Sequence, residues 1–135
     1  MKMKLLFLPL LFFGFQCSKN IVSECQECVE TPSGTRITFS AIQQTIFTPQ
    51  CVSCHGGAYP AAGLNLEAGK AYGALVNVPS TSSPKKRVVP YNSAESYLVW
   101  VLDGKQAPLM PPSGRLAQAQ IDSVIAWIDR GAENN

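Results

Sequence analysis

The sequence lacks several features that would place it in a common class of protein. It has no run of about 20 apolar residues, which excludes a transmembrane helix of ordinary length. Charged residues make up only 15% of the chain and hydrophobic residues 46%, so it is not a disordered polyampholyte. Histidine occurs only as His55, and Met110 is the only methionine beyond the first three residues. A length of 135 residues allows one domain with a tail, but not two substantial cores.

The charges of the chain balance once its N-terminal segment is set aside. The full sequence has a formal net charge of +2, with 11 basic and 9 acidic residues. Removal of residues 1–16 takes away Lys2 and Lys4 and leaves 9 residues of each sign. Because a neutral chain has no net attraction for a polyanion, we expect no nucleic-acid partner.

Residues 1–16 have the pattern of an export signal peptide. Lys2 and Lys4 precede an apolar segment, residues 5–15, that is too short to span a bilayer. We therefore predict an exported protein of the bacterial cell envelope, in a periplasmic compartment where thiols can oxidise. The segment that ends at Cys17 resembles a bacterial lipoprotein signal, which implies lipidation of Cys17 and a membrane-tethered protein. The alternative is an ordinary secretory leader, with Cys17 as an unmodified thiol.

The folded domain is predicted to begin near Arg36 and to occupy residues 36–135. Residues 17–35 are polar and show no helical period, so we expect a lipid-anchored or flexible tether. Three later segments have apolar residues on one helical face: Phe39, Ile42, Ile46 and Phe47; Leu98, Val101 and Leu102; and Ile121, Val124, Ile125 and Ile128. Residues 66–76 predict a shorter helix and residues 79–92 a loop. No strand alternation is present, which indicates a small all-α domain.

The ends of the three main helices are also predicted from single residues. Pro49 should end the first helix, because proline interrupts the hydrogen bonds of a helix. Ser93 can cap the second helix, and Gly104 should terminate it. Gly131 should terminate the third helix in the same way.

The segment Cys51-Val52-Ser53-Cys54-His55 has the C-x-x-C-H pattern of covalent haem attachment. Two residues between the cysteines allow both thiols to bond to the vinyl groups along one haem edge, and the next residue then lies under the iron. We therefore predict one haem c, held by Cys51 and Cys54, with His55 as an axial iron ligand. Since this is the only histidine, the chain has no second imidazole ligand. The second ring nitrogen of His55 needs an acceptor, which we expect among the backbone carbonyls of residues 60–66.

Met110 is the predicted second axial ligand. It lies in residues 107–112, Ala-Pro-Leu-Met-Pro-Pro, where two following prolines stiffen the backbone and disfavour a helix. Met/His ligation raises the reduction potential of a haem, and a filled sixth position blocks other ligands. The alternative is a methionine that fills the core, but such a residue would more often lie on a helical face.

Together these motifs resemble class I cytochrome c, and most closely the planctomycete-type cytochrome c domain. The resemblance extends over about residues 38–133. It is carried by Cys51–His55 with Gly56-Gly57, by Gly63-Leu64, by Met110-Pro111-Pro112 and by residues 125–132, Ile-Ala-Trp-Ile-Asp-Arg-Gly-Ala. It implies an all-α fold wrapped around one covalently attached haem, with the first and last helices crossing beside the haem and their apolar faces in contact.

A second cysteine pair, Cys25 and Cys28, has the same spacing but no adjacent histidine. With Cys51 and Cys54 it makes two C-x-x-C pairs separated by 22 residues, close to the pattern of a zinc ribbon. Zinc would leave the export signal, the histidine and the methionine unexplained, so haem is the preferred interpretation. Cys25 and Cys28 are then expected to form a local disulfide or to remain thiols in the tether.

Other side chains have two alternative roles. Residues 85–87, Lys-Lys-Arg, could bind an acidic partner or the haem propionates, but a solvated loop is the more common role of so short a run. Tyr97 and Trp100 could reach a propionate, although aromatic residues on a helix are more often in the core. Trp127 is expected to pack beside the haem.

The sequence thus predicts a monohaem c-type cytochrome, tethered to the membrane by lipid, that transfers single electrons between a donor and an acceptor protein of the envelope. No catalytic residue is predicted, and the protein is expected to be an electron carrier rather than an enzyme. One alternative is a haem-containing accessory subunit of a larger oxidoreductase. Another is a peroxidase-like or ligand-binding haem protein with an open iron site, which requires that Met110 does not bind.

Overall fold

The structure, a computed structural model, describes residues 36–135. Within this range the regular secondary structure is helical and contains no strand. Only two isolated β-bridges join loop segments, Val76 with Val88 and Pro79 with Lys86. The observed structure is therefore consistent with the predicted all-α class. The predicted signal peptide and tether, residues 1–16 and 17–35, lie outside the described residues.

Four helices and one short turn are present between residues 36 and 135. The first helix, α1, consists of three consecutive segments: the α-helical Phe39–Ile42, the π-helical Gln43–Phe47 and the α-helical Thr48–Gln50. The others are α2, Ala71–Leu75, α3, Tyr97–Asp103, and α4, Gln118–Asp129, with a 3₁₀ turn at Ala61–Gly63. None of these helices is long and apolar enough to cross a membrane.

Helix α1 ends just before the cysteines, as predicted, but its last residue is Gln50, so Pro49 itself does not end the helix. Proline has no N–H to donate to the carbonyl of Thr45, four residues earlier. That carbonyl oxygen instead lies 3.4 Å from Nε2 of Gln120, which donates to it from α4. The preceding π-helical segment also widens the helix at this point. The helix therefore reaches Gln50, the residue directly before the first cysteine of the C-x-x-C-H motif.

The apolar faces of α1 and α4 pack against each other, as the resemblance implied. The most deeply buried residues of the two helices, each at most 1% exposed, are Ile42, Ile46, Phe47, Ile121, Val124 and Ile128. Phe39 and Trp127 join the two helices, with ring centroids 5.2 Å apart. Ile125, which was predicted on this face, is only partly buried, and Trp127 occupies the core instead. The predicted helical period of α4 is therefore correct, but its buried face includes Trp127 rather than Ile125.

Helix α3 begins three residues later than predicted. Ser93 does not cap it, because its backbone N–H and its hydroxyl both donate to the carboxylate of Asp129, at 2.9 and 3.0 Å. The N-cap is Ser96, whose hydroxyl bonds to the preceding loop rather than to the helix. Gly104 ends α3 with a φ of 73°, and Gly131 follows α4 with a φ of 108°. Both glycine stops were predicted correctly, since this left-handed region is accessible to glycine without strain.

The segment between α1 and α3 consists mostly of loops. Of the predicted helix at residues 66–76, only Ala71–Leu75 is helical. Leu66 is nevertheless 3% exposed and belongs to the core from a non-helical position. Residues 79–92 form a loop, as expected. These loops supply several of the residues that line the cavity of the domain.

Candidate haem site

The domain contains a cavity of about 400 Å³ between α1, α2, α3 and the loops that join them. Most of its lining is apolar and includes Phe47, Leu75, Leu98 and Leu102. This volume is within the roughly 300–1,000 Å³ that is typical of sites for small molecules and cofactors. Helix α4 supplies no lining residue, and Trp127, which was predicted to lie beside the haem, is in the core between α1 and α4 instead.

All four residues predicted to bind haem line this cavity: Cys51, Cys54, His55 and Met110. The first three follow directly after α1, whereas Met110 lies in the loop between α3 and α4. The fold therefore brings together a motif and a methionine that are 55 residues apart in sequence. Thioether formation and iron coordination by these residues remain predictions.

The C-x-x-C-H segment is held as a series of turns at the end of α1. The N–H of Cys51 donates to the carbonyl of Phe47 at 2.9 Å. The N–H groups of Cys54 and His55 both donate to the carbonyl of Cys51, at 3.1 and 2.8 Å. Because one carbonyl holds both residues, the second thiol and the imidazole are positioned together. Neither Cys51 nor Cys54 is in a disulfide bond, so both thiols are available for covalent attachment.

The two thiols differ in environment. Cys51 is partly buried, and this burial, together with the nearby Cys54 thiol, raises the pKa of Cys51 to about 11. Cys51 is therefore a neutral thiol at pH 7 in the protein without a bound group. Within residues 36–135, no group of three or more His, Cys, Asp or Glu side chains is arranged to hold a metal ion. The zinc alternative also needs Cys25 and Cys28, which lie outside the described residues.

The imidazole of His55 is oriented by a hydrogen bond to a backbone carbonyl. Its Nδ1 lies 3.1 Å from the carbonyl oxygen of Ala61, within the segment 60–66 where the acceptor was expected. Since a carbonyl can only accept, Nδ1 carries the hydrogen and Nε2 keeps its lone pair for a metal. The carbonyl of His55 in turn accepts the N–H of Leu66 at 2.6 Å. The residue is therefore held by its backbone and by its ring.

The loop after His55 is fixed by Glu67. Its carboxylate accepts from Nζ of Lys70 at 2.6 Å, from the N–H of Gly57 at 3.0 Å and from the amide of Asn65 at 3.2 Å. These bonds, the one from Lys70 first, lower the pKa of Glu67 to about 2. Close by, a Cβ atom at Gly56 would lie 2.7 Å from a backbone carbonyl oxygen of the C-x-x-C segment. A side chain at Gly56, directly after the motif, would therefore clash with the backbone.

Met110 is held at the cavity wall by its backbone. Its N–H donates to the carbonyl of Val101 in α3 at 2.8 Å, and the flanking Pro108, Pro111 and Pro112 also line the cavity. The side chain is only partly buried and is not among the buried residues of the core. This placement favours a ligand that faces the cavity over a methionine that fills the core.

Arg87 is the residue of the site that the sequence interpretation placed wrongly. A solvated position was preferred for residues 85–87, but Arg87 is 8% exposed and lines the cavity. The predicted solvated position is correct for Lys86, which is exposed. Nζ of Lys85 lies over the ring of Trp100, 4.4 Å from its centroid. No local sequence feature indicated this burial, which depends on contacts with the distant residues Ala62 and Ala74.

The two aromatic residues of α3 have different positions. Tyr97 lines the cavity, whereas Trp100 does not. The indole N–H of Trp100 donates to the carbonyl of Ala94 at 2.9 Å, so its polar group is already used within the loop before the helix. Of the two, only Tyr97 is placed to contact a group bound in the cavity.

The helical domain, the C-x-x-C-H motif and the apolar cavity are consistent with a haem-binding protein. A comparison with protein families agrees with this: residues 51–114 match the family model of Planctomycete cytochrome C. The match confirms the predicted resemblance over slightly less than half of the chain and includes Cys51, His55, Arg87 and Met110, while α1 and α4 lie outside it. No curated protein and no solved structure matches the sequence.

The family match indicates a c-type cytochrome and implies covalently bound haem c. The residues of the site fit this group. Two unpaired thiols, an imidazole with Nε2 free and a thioether line one apolar cavity. Imidazole and thioether are known axial ligands of haem iron, and cysteine thiols form its covalent attachment.

Proposed function

We propose that this protein is an exported c-type cytochrome that carries single electrons between a donor and an acceptor protein of the bacterial cell envelope. The observation that supports this most directly is the shared cavity of Cys51, Cys54, His55 and Met110. It combines the two attachment thiols with the only histidine of the chain and the only methionine outside the leader. The family match supports the same assignment.

Each residue has a distinct part in this proposal. Cys51 and Cys54 would hold one haem through thioether bonds, and Nε2 of His55 and the sulfur of Met110 would bind its iron. When bound, the haem supplies an iron centre that gains and loses one electron. The protein contributes rigidity: the Ala61 carbonyl orients the imidazole, and the prolines around Met110 restrict its loop. Rigid ligands suit electron transfer, because little rearrangement is then needed between the two redox states.

The apolar lining of the cavity has a second effect. Side chains from α1, α2 and α3 exclude water from the face of a bound group. A low-dielectric surrounding of this kind changes the energy of a charged metal centre and so contributes to its reduction potential. A filled sixth position would also leave no open site for substrate. We therefore favour an electron carrier over a peroxidase-like or ligand-binding protein.

The test of this function is an absorption spectrum of the oxidised and reduced protein, exported in a host with the machinery for haem attachment. We expect low-spin bands of a c-type haem and the weak far-red ferric band of a thioether ligand. Met110→Ala should abolish the far-red band, since it removes the sulfur. Leu109→Ala is the matched control, because Leu109 lies in the same loop and does not line the cavity.

Two results would contradict the proposal in different ways. A high-spin spectrum that Met110→Ala leaves unchanged would exclude Met110 as a ligand and favour a haem with an open site. A protein without covalent haem would contradict the cytochrome assignment and make zinc the stronger alternative. A complex with a larger oxidoreductase that survives purification would identify the protein as an accessory subunit rather than a free carrier.

We also propose that Cys17 carries a lipid and that residues 17–35 connect it to the domain in the periplasm. The support for this is the pattern of residues 1–16, which precedes the cysteine. Replacement of Cys17 by serine should move the protein from the membrane fraction to the soluble periplasmic fraction and leave its haem spectrum unchanged. Cys25→Ser is the control. An unchanged membrane fraction in Cys17→Ser would indicate an ordinary secretory leader or a different anchor.

A further inference from the structure

Met110 lies near the middle of the loop between α3 and α4, residues 104–117, which we call the methionine loop. Its N–H donates to the carbonyl of Val101 at 2.8 Å. A Cβ atom at Gly104 would lie 2.9 Å from the side chain of Leu109, so the beginning of the loop packs closely against the residue before the methionine. Because the loop has no regular secondary structure, the position of the methionine depends on the contacts that hold the loop as a whole.

The two ends of the methionine loop are joined by Arg115. Its Nη2 donates to Oδ1 of Asp103, the last residue of α3, at 3.0 Å and to Oε1 of Gln118, the first residue of α4, at 2.8 Å. The amide nitrogen of Gln118 donates to Asp122, one turn further along α4, at 2.7 Å, so the amide oxygen is left to face the guanidinium. One side chain thus connects the helix before the loop with the helix after it.

Both partners of this ion pair are themselves held in place. The carboxylate of Asp103 also accepts from Nζ of Lys105 at 2.9 Å, and the bonds from Lys105 and from Arg115 lower the pKa of Asp103 from its usual value. A carboxylate at the C-terminal end of a helix is unfavourable toward the helix dipole, so it depends on such cations. Leu116, the residue after Arg115, is 6% exposed and belongs to the core, which fixes the backbone that carries the guanidinium.

We propose that Arg115 is a positioning residue that closes the methionine loop and so keeps Met110 at the iron. The inference rests on the proposed function, in which Met110 is an axial ligand. A filled sixth position blocks other ligands, so a ligand from solution binds only when the loop moves away from the iron. An ion pair across the base of the loop makes this movement less frequent. The family match ends at residue 114 and does not include Arg115.

The test measures how often the loop opens. The oxidised full-length holoprotein is mixed with increasing concentrations of imidazole in mildly alkaline buffer, where imidazole is uncharged. The loss of the far-red band of the thioether ligand is followed in time, and its rate reaches a plateau once opening of the loop limits it. We expect Arg115→Gln to raise this plateau about fivefold, the upper effect of one partly exposed ion pair. An unchanged plateau would overturn the proposal.

Lys105→Gln is the matched control. It removes a positive charge from the same carboxylate, but the bond of Lys105 to Asp103 joins neighbours in the sequence rather than the two ends of the loop. Its plateau should equal that of the wild type. Asp103→Asn should raise the plateau as Arg115→Gln does, and the double variant should raise it no further, because both substitutions remove the same bond. If Lys105→Gln acts like Arg115→Gln, the local charge rather than closure of the loop is responsible, and the proposal is wrong.

A second measurement separates closure of the loop from the stability of the whole domain. Amide hydrogen exchange is measured by NMR in the wild type and in Arg115→Gln. We expect the amide of Met110 to exchange about fivefold faster in the variant, whereas amides in the middle of α4 should exchange at the same rate in both. An equal acceleration in α4 would show that Arg115 contributes only to global stability, which would overturn the proposal.

The outcomes distinguish this inference from the proposed function. A thioether band in the wild type, with the same plateau and the same Met110 exchange in Arg115→Gln, would leave the proposed function intact and refute the role of Arg115. A wild-type spectrum without the thioether band would contradict Met110 as a ligand, and this inference with it.

Discussion

The core between α1 and α4 and the wall of the candidate haem cavity are built from similar apolar side chains, but part of the cavity wall is less deeply buried than the core. In the core, Ile42, Val124 and Ile128 are at most 1% exposed, because other side chains of the domain surround them. At the cavity wall, Leu64 and Val101 are only partly buried and border a cavity of about 400 Å³. Burial of apolar surface is the main favourable contribution to folding. The core therefore obtains its burial from the protein alone, whereas part of the cavity wall, including Leu64 and Val101, is left partly uncovered by the protein.

The largest expected effect comes from loss of the attachment thiols. Cys51→Ala with Cys54→Ala should abolish covalent haem and lower the stability of the domain, because the cavity wall loses its cover. A ligand at 1,000 times its dissociation constant stabilises a protein by about 4 kcal/mol, and we expect a loss of at least this size. Denaturing gels stained for haem and thermal unfolding measure the two effects. Cys25→Ala with Cys28→Ala is the control and should retain the haem. Covalent haem in the first variant would refute the assignment of these thiols.

The next effect concerns the core. Ile128→Ala removes a fully buried side chain that does not line the cavity, and it should cost about 3 kcal/mol in the free energy of unfolding. Ile125→Ala, on the same helix but only partly buried, should cost about 1 kcal/mol. Urea unfolding of the holoprotein measures both. Equal losses would contradict the observed orientation of α4, in which Trp127 rather than Ile125 lies in the core.

The same unfolding measurements test whether the core and the cavity wall differ in their dependence on haem. Val101→Ala should lower the stability of the haem-bound protein by about 1 kcal/mol. In the background without attachment cysteines it should have a much smaller effect, because the wall is then uncovered in any case. Ile128→Ala should cost a similar amount in both backgrounds, since distant sites are additive. A Val101→Ala effect that is independent of haem would show that the wall is packed by the protein itself.

The smallest effect concerns the polar contacts that hold the loop after His55. Glu67 has its pKa lowered to about 2 from a usual value of 4.5, so its bonds contribute stability above about pH 4.5. That contribution should be lost as the pH falls from 4.5 toward 2, where the folded state must also take up a proton. The difference in stability between the wild type and Glu67→Gln should therefore decrease over this pH range. Unfolding midpoints measured from pH 2 to pH 7 test this, with Glu95→Gln as the control. A constant difference would contradict the role of the Glu67 charge.

Local sequence patterns predicted the parts of the protein that depend on neighbouring residues. The period of Ile121, Val124 and Ile128 predicted α4, because three to four residues separate side chains on one face of a helix. Gly104 and Gly131 were predicted as helix stops for a similarly local reason, their tolerance of positive φ. The attachment motif, residues 51–55, was recognised from residue type and short spacing, while haem binding by Cys51, Cys54, His55 and Met110 remains a prediction. In each case the relevant physical interaction lies within one or two helical turns.

Two of the wrong predictions depend on contacts between distant segments. Pro49 does not end α1 because Gln120, from α4, takes the place of the missing backbone donor. Ser93 does not cap α3 because Asp129, 36 residues away, accepts its hydrogen bonds instead. Sequence rules assume that a proline or a serine interacts with its neighbours in the chain. In these two cases a residue from a distant segment forms the hydrogen bond instead.

The amino-acid sequence by itself determined the attachment motif, the single histidine, the methionine between prolines and the apolar faces of the main helices. These are properties of residue type and short-range spacing. Only the tertiary structure decided that His55 is oriented by Ala61, that Met110 meets the cysteines at one cavity, and that Arg87 faces that cavity rather than solvent. The physical reason is that burial and hydrogen-bond partners are set by segments far apart in the chain, so a basic residue in a loop has the same local pattern whether water or a cofactor lies beside it.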